Sequence, residues 1–215
     1  MSESVEGADE AANRRKRTTG YLKLWGLTVD LSPLGVPLVG THDHPDTEAV
    51  VGRAKALCLV GLKGQGLSVR ETFAFADAYG VWDHLTVAEN DFVLDTDPPV
   101  EDLVMYAWKF EGLRVMEWAL GLVKHLAFPA EPASPATATE LCVHHILNAP
   151  EGDSLSLRST KELLDGADVA WCISAVSAAL RASPVEGLTV DHGIVHERAL
   201  AFDWLVRAVH RSSGV

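Results

Sequence analysis

The sequence predicts an all-α fold: an irregular N-terminal arm followed by a single helical domain of about seven helices, with at most one short strand pair. Three observations predict it. Apolar residues recur at helical spacing in most segments after residue 45. Glycine, proline and capping residues separate those segments. The chain has 215 residues, 47% of them hydrophobic, which is enough to bury a core. We expect a disordered tail over residues 1–17, an irregular arm over 18–45 and a helical domain over 46–212.

The N-terminal region is polar and acidic at first and then carries the basic run Arg14 to Arg17. It has few large apolar side chains to bury, which is typical of disordered chain. We interpret the basic run as a solvated start to the first ordered segment, with a nucleic-acid contact as the alternative. The arm mixes short apolar runs with glycine and proline, which predicts irregular chain and one short strand near Tyr21 to Val29.

Capping signals bound the helical segments. Asp46 is suited to begin the first predicted helix, Ser68 or a neighbour to begin the second, and Gly80 to end it. Ser159 and Glu162 have the spacing of a capping box, in which each side chain bonds the backbone amide of the other residue. The predicted helices cover about 46–62, 68–79, 100–125, 137–147, 159–182 and 194–210, with a short helix between 81 and 97.

The charge balance limits the class of partner. The formal net charge is −12 and the pI is near 5.1. Nucleic acids and anionic membranes need a basic surface, so neither is expected as the main partner. No run of about eighteen apolar residues is present, so no transmembrane helix is expected, and the N-terminus does not resemble a secretory signal. Small molecules and basic protein surfaces stay open as partners.

Cysteine and histidine usage predicts neither a disulfide framework nor a cofactor. Cys58, Cys142 and Cys172 are far apart and odd in number, which fits a reducing cytoplasm. Cys58 and Cys172 lie in apolar helical runs, where a buried free thiol is usual. No metal site is expected. His42 and His44 are the weak candidates for metal ligands, because no third ligand motif follows them.

The predicted helix over 100–125 carries charges in an apolar segment. On a helical wheel, Glu111, Arg114 and Glu117 fall on one side at i, i+3 spacing, as in a ladder of supporting charges. Lys124 and His125 fall on the same side. We interpret them mainly as a solvated stripe. Trp118 lies on the same side, which indicates that protein covers part of this side or that it lines a cleft.

The last predicted helix directs two charges inward. Glu197 and Arg198 lie on the side of the wheel that carries its apolar residues. A buried charge is costly unless it is paired, so both residues need partners from other segments. The expected partners are Asp165, Asp168, Glu111 and Arg158. The cluster is either a structural ion-pair network or the polar base of a pocket.

Three segments carry a family resemblance: WKFEGLRVMEWALGLV, LRSTKELLDGADV and GIVHERALAFDWL. In order and spacing they resemble the bacterial domain-of-unknown-function 4272 family over roughly residues 53–207. The resemblance implies a mostly helical fold in a bacterial protein, and it implies no activity. At polar positions where the family carries arginine, histidine, tryptophan and histidine, this chain has Cys172, Ser174, Ala175 and Ala199. Any site built from those positions is therefore reduced here.

These patterns together predict a candidate site but no reaction. The expected function is that of a soluble protein that binds a small molecule or a partner protein through an aromatic and charged cleft. The alternative is a cofactor-independent enzyme of a small-molecule, natural-product pathway. In that case Glu111 or Glu197 would act as acid or base, and Arg198 or Arg158 as an anion clamp. The residues expected to line the binding cleft are Trp118, Arg158, Asp165, Asp168, Trp171 and Trp204.

Overall fold

The computed structural model describes residues 2–27, 45–148, 155–182 and 189–207. Within these ranges the chain is helical and has no strand, which confirms the predicted all-α class. The chain divides into two compact units. Unit 1 contains Met1–His44, Ala127–Glu131 and Arg158–Val215, and unit 2 contains Pro45–Leu126 and Pro132–Leu157. The division arises because each unit has its own hydrophobic cluster.

Unit 2 is built around one buried helix. Its helices are α2 (Thr47–Gly64), α3 (Val69–Tyr79), α4 (Val87–Leu94), α5 (Val100–Ala107), α6 (Lys109–Ala119) and α7 (Pro135–Cys142). A short 3₁₀ turn lies at Trp82–His84, and a π-helical turn follows α7 at Val143–Leu147. Helix α2 is in contact with every other helix of the unit, so it forms the centre of this core.

Small residues let other elements approach α2 closely. A Cβ atom at Gly64 would lie 2.5 Å from the backbone nitrogen of Ala107, so α5 could not pack at this distance against any larger residue. The aromatic ring of Phe110 lies over Gly61 in the same way, 2.9 Å from such a Cβ position. Glycine therefore sets the spacing between α2 and the α5–α6 segment.

Local capping signals match the structure where they were predicted. The Asp46 carboxylate accepts a hydrogen bond from the amide of Ala49 and begins α2. Ser68 and Glu71 form a capping box at the start of α3, and Gly80 ends that helix with a φ of 62°. In unit 1, the Ser159 hydroxyl and the Glu162 carboxylate make the reciprocal bonds that their spacing predicts. These predictions hold because each depends on residues within one helical turn.

The helix predicted over 100–125 is interrupted and shorter. The backbone tightens at Trp108, where i→i+3 hydrogen bonds separate α5 from α6. Helix α6 ends at Ala119, and Gly121 adopts a left-handed φ of 76° just beyond it. Lys124 and His125 therefore lie outside the helix, and the wheel that placed them beside Glu111 is wrong for both.

Unit 1 contains α1 (Ser2–Leu24), α8 (Thr160–Ala182) and α9 (His192–Arg207). Helix α1 contradicts two predictions. Residues 2–17 are helical and not a disordered tail, and residues 18–24 are helical and not irregular chain or a strand. Residues 28–44 of the predicted arm lie outside the described ranges. One stripe of α1 is buried, formed by Ala11, Arg14, Thr18 and Leu22. Its i, i+3, i+7, i+11 spacing is helical, but only two of its members are apolar, so composition alone did not reveal it.

Helix α8 is the core helix of unit 1. By length and composition alone, Thr160–Arg181 is apolar enough to cross a membrane. The sequence did not predict this, because the segment has no unbroken apolar run of that length. Half of that window is buried, and core helices of soluble proteins pass the same test. Helix α8 packs on α1 and α9, and Leu22 of α1 joins Cys172, Ile173 and Val176 in one hydrophobic cluster.

The packing of α1 predicts a contrast between two leucines two residues apart. Leu22 is 2% exposed and Leu24 is 82% exposed. We expect Leu22→Ala to lower the free energy of unfolding by about 2–5 kcal/mol, because it leaves a cavity beside α8. Leu24→Ala makes the same chemical change at the surface and should stay within about 0.5 kcal/mol of the wild type. Urea denaturation followed by circular dichroism measures both. Equal stability of the two variants would show that α1 is not packed on α8.

Candidate functional site

Asp168, a predicted site residue, forms a two-oxygen ion pair with α1. Arg15 donates from Nε to both carboxylate oxygens at 3.1 Å and from Nη2 to Oδ1 at 2.7 Å. The Asp168 side chain is 1% exposed. The hydrogen bonds to Asp168 raise the pKa of Arg15 above its ordinary value. Both oxygens of this carboxylate are therefore engaged by the chain itself.

Asp165 lies one turn earlier on α8, among three cations. Arg14 Nε lies 3.3 Å, Arg17 Nη2 2.7 Å and Lys161 Nζ 3.0 Å from its carboxylate. Burial acts to raise the pKa of Asp165, but the hydrogen bonds from Arg17 and Lys161 outweigh it and lower the pKa. The basic run of α1 is thus a docking element for α8, and its interpretation as a solvated start is wrong for Arg14, which is 2% exposed.

Glu197 and Arg198 are both buried, as the wheel of the last helix predicted. Arg198 Nη1 donates to the backbone carbonyl of Ala127 at 2.6 Å. This acceptor was not among the predicted partners, because a backbone oxygen carries no signal in the sequence. Within unit 1, Arg198 therefore ties α9 to the short segment Ala127–Glu131.

In unit 2, α6 buries two carboxylates that the wheel placed in solvent. The Glu111 carboxylate accepts a hydrogen bond from the Ala133 amide at 2.5 Å. Glu117 has no exposed surface; its Oε2 accepts from Arg114 Nη1 at 2.6 Å, and its Oε1 has no hydrogen-bond partner among the described residues. The solvated-stripe interpretation is wrong for both glutamates, because protein surrounds α6 on nearly all sides.

Burial makes Glu117 a weaker acid than an ordinary glutamate. It raises the pKa of this carboxyl to about 7, against the opposing effect of the Arg114 guanidinium. Cys58 and Cys142 lie nearby, and both thiols are buried. The Cys142 thiol interacts with Cys58, and this contact, together with burial, raises its pKa. In unit 1, burial raises the pKa of Cys172 to about 12. All three thiols are buried, which is typical of unreactive cysteines, so we assign all three a packing role.

The remaining predicted site residues are divided between the two units. Arg158 pairs with Glu162 at 2.9 Å on α8, and Trp171 and Trp204 are half-buried in unit 1. Trp118 is half-buried in unit 2, which agrees with the expectation that protein covers part of its side of α6. His42 and His44 lie outside the described ranges. Among residues that are described, no three His, Cys, Asp or Glu side chains are placed to hold a metal ion.

Sequence reasoning missed a buried polar pair at the start of α9. The Ser177 hydroxyl of α8 is hydrogen-bonded to Nδ1 of His192. Asp191 caps the same helix end by accepting from the amides of Gly193 and Ile194. Ser177 is 2% exposed, so we interpret the pair as an anchor between helices rather than an accessible nucleophile.

An exposed apolar surface on α4 and α5 was also missed; we call it the α4–α5 surface. On α4, Val87 and Leu94 lie at i, i+7 and share one side of the helix. On α5, Val100 and Val104 lie at i, i+4, and Met105 follows. All five side chains are exposed, Val87 by 80% and Val100 by 69%. Exposed apolar side chains of this size on neighbouring helices are candidates for an interaction site.

This surface lies in a segment without positive charge. Residues 71–108 contain no lysine or arginine. They contain nine acidic residues: Glu71, Asp77, Asp83, Glu89, Asp91, Asp95, Asp97, Glu101 and Asp102. Glu89 is buried and paired with Arg53, whereas Asp91, Asp95, Asp97 and Glu101 are exposed on or between the two helices. A count of charges along the sequence would have found this segment.

The acidity of Glu117 predicts a specific pH dependence of stability. The folded protein keeps a proton that the unfolded chain releases between pH 4.5 and about 7. The contribution of this group is therefore fully present below pH 4.5 and is lost as the pH rises to about 7. Relative to the wild type, Glu117→Gln should gain up to about 3 kcal/mol in the free energy of unfolding across this window. Urea denaturation at closely spaced pH values measures the difference.

A matched control for this titration is Glu140→Gln on α7, where the side chain is exposed. Its stability should follow that of the wild type at every pH. Parallel curves for Glu117→Gln and the wild type would show that Glu117 titrates in the folded protein as it does in the unfolded chain.

The ion pair between α1 and α8 predicts a strong effect of Asp168→Ala. We expect a loss of about 3–5 kcal/mol in the free energy of unfolding, because the Arg15 guanidinium loses the carboxylate that compensates its desolvation. Lys161→Ala removes an exposed i, i+4 pair on the same helix and should cost no more than about 0.5 kcal/mol. Chemical denaturation of both variants makes the comparison. A loss below 1 kcal/mol for Asp168→Ala would contradict the structural role of the pair.

Comparison with known proteins identifies the family of the chain. No curated protein and no solved structure matches the chain. The sequence model of a family described as a domain of unknown function (DUF4272) matches residues 14–213. This range begins at Arg14 within α1 and extends beyond α9, so it includes the α1 arginines and both units. The chain therefore belongs to the DUF4272 family.

Proposed function

We propose that this protein is a binding protein that engages a partner protein through the α4–α5 surface. One observation carries the proposal: five large apolar side chains are exposed on two neighbouring helices, within a segment that has acidic residues and no basic ones. Exposed apolar groups of this size favour burial against another molecule. The surrounding charge selects among possible partners through electrostatic complementarity.

The bonding of the buried charges supports a function at the outer surface. The predicted cleft residues Asp165, Asp168 and Arg158 make ion pairs within unit 1. Glu111 of unit 2 bonds a backbone amide of its own unit. A side chain that already has hydrogen-bond partners in the protein contributes less free energy to ligand binding than one without partners. We therefore rank binding of a small molecule by these residues below binding of a protein by α4 and α5.

One observation favours an enzyme as the second candidate function. The pKa of Glu117 is raised to about 7, which suits a general acid or base near neutral pH. Raised values of this kind are frequent at active sites. Glu117 has no exposed surface, however, so a substrate would reach it only after its neighbours moved. For this reason acid–base chemistry ranks second.

Site-specific photo-cross-linking tests the proposed function in the cells that make the protein. A photoreactive amino acid in place of Val104 should give a covalent adduct with one protein, identified by mass spectrometry. The same group in place of Glu140, exposed on α7, is the matched control and should not give that adduct. Adding Leu94→Asp and Val100→Asp should abolish it, because each places a charge where apolar contact is expected.

The purified partner should then bind the wild-type protein in calorimetry and lose affinity for the doubly substituted variant. The same adducts at positions 104 and 140, or none at 104, would refute binding through the α4–α5 surface.

A further inference from the structure

We infer that the segment bound by the α4–α5 surface is a basic amphipathic helix of the partner protein. This inference rests on the proposed function and specifies its partner. It follows from three features of unit 2: the charge around the surface, the spacing of its apolar side chains and the rigidity of its support.

The charge requires a basic occupant. Asp91 lies between Val87 and Leu94 on the exposed side of α4, and Glu101 lies next to Val100 on α5. Asp95 and Asp97 are exposed in the connection between these helices. Two copies of this surface would repel each other, as would a nucleic acid or an anionic membrane. Lysine and arginine side chains at the edge of an apolar contact would be attracted to all four carboxylates.

The spacing of the apolar groups fits a helix. Val87 and Leu94 are two turns apart, about 10 Å along α4. Val100 and Val104 are one turn apart on α5. Helices pack by placing ridges of i, i+4 side chains between those of a neighbour, at an axial distance of about 8–10 Å. An amphipathic helix with apolar residues at i, i+3, i+4 and i+7 offers the matching ridge, with basic residues on both sides of it.

The two helices adjoin each other through Tyr106. Its ring stacks on Phe92 of α4 with 3.9 Å between the ring centroids, and its hydroxyl donates to the carbonyl of Ala88 at 2.9 Å. The exposed sides of α4 and α5 therefore belong to neighbouring helices with a fixed contact between them.

Buried ionic contacts hold α4 in place at both ends. At its start, Arg53 of α2 donates to both oxygens of Glu89 at 2.6 and 2.7 Å, while Glu89 also closes a capping box with Thr86. At its end, Lys63 of α2 binds backbone carbonyls of the last turn. A surface held in this way loses little conformational entropy on binding, which favours affinity.

Model peptides test this inference without knowledge of the natural partner. A peptide of about 18 residues, with leucines at helical spacing and lysines elsewhere, should bind the full-length protein in fluorescence anisotropy. A peptide with glutamate in place of every lysine should not. Val104→Asp should weaken binding at least about tenfold, because it places a charge in the apolar contact. Asp91→Asn with Glu101→Gln should weaken it and reduce its dependence on salt.

Non-specific attraction to an acidic protein is controlled with matched charge changes elsewhere. Glu131→Gln with Glu140→Gln removes the same net charge at two other exposed positions. This variant should bind the lysine–leucine peptide as the wild type does. Equal weakening by both charge-neutralised pairs, or no effect of Val104→Asp, would overturn the inference.

The two proposals fail in different ways. A cross-link at position 104 to a partner whose cross-linked segment is neither basic nor helical would overturn the basic-helix inference and leave the proposed function standing. Absence of any adduct at that position would refute the proposed function, whatever the peptides do.

Discussion

The ammonium group of Lys63 fixes the part of the molecule on which the proposed function depends. Its Nζ donates to the backbone carbonyls of Phe92, Val93 and Asp95 at 2.5–2.8 Å. A helix leaves its last carbonyls without partners, and a buried cation without acceptors is strongly unfavourable. Each satisfies the other here. Burial lowers the pKa of Lys63, and the full set of acceptors allows the side chain to reside in the core with 2% exposure.

Together with the other contacts that hold α4, this one determines which side of the helix faces outward. With its last turn held on α2 and Phe92 stacked on Tyr106, one side of α4 is committed to the core. Val87, Asp91 and Leu94 are left on the other side by helix geometry. The exposed apolar groups are thus a consequence of a well-anchored helix and not of loose packing. That distinction supports interpreting them as a contact surface.

The sequence predicted the features that depend on neighbouring residues and missed those that depend on distant ones. The caps at Asp46, Ser68 and Gly80 are local and were found. Helix α1 was missed because its buried stripe contains an arginine and a threonine, whose burial makes sense only beside α8. The inward direction of Glu197 and Arg198 was found from periodicity. The burial of Glu117 was not predicted. A helical wheel assumes that one side of the helix faces solvent, and almost no side of α6 does.

The charged residues of the three segments that resemble the family chiefly stabilise the fold of this protein. Asp165, Asp168 and Arg158 make ion pairs inside unit 1, and Glu111 bonds the backbone of unit 2. The α4–α5 surface lies outside the three segments that resemble the family. It precedes the first of them along the chain.

The burial of every cysteine has a practical consequence for studying this protein. Cys58, Cys142 and Cys172 are fully buried, so a maleimide cannot reach their thiols. The native protein should therefore not react with thiol-directed reagents while it is folded. A single cysteine engineered on α5 would accept a fluorophore or spin label selectively, with no need to remove the natural thiols first.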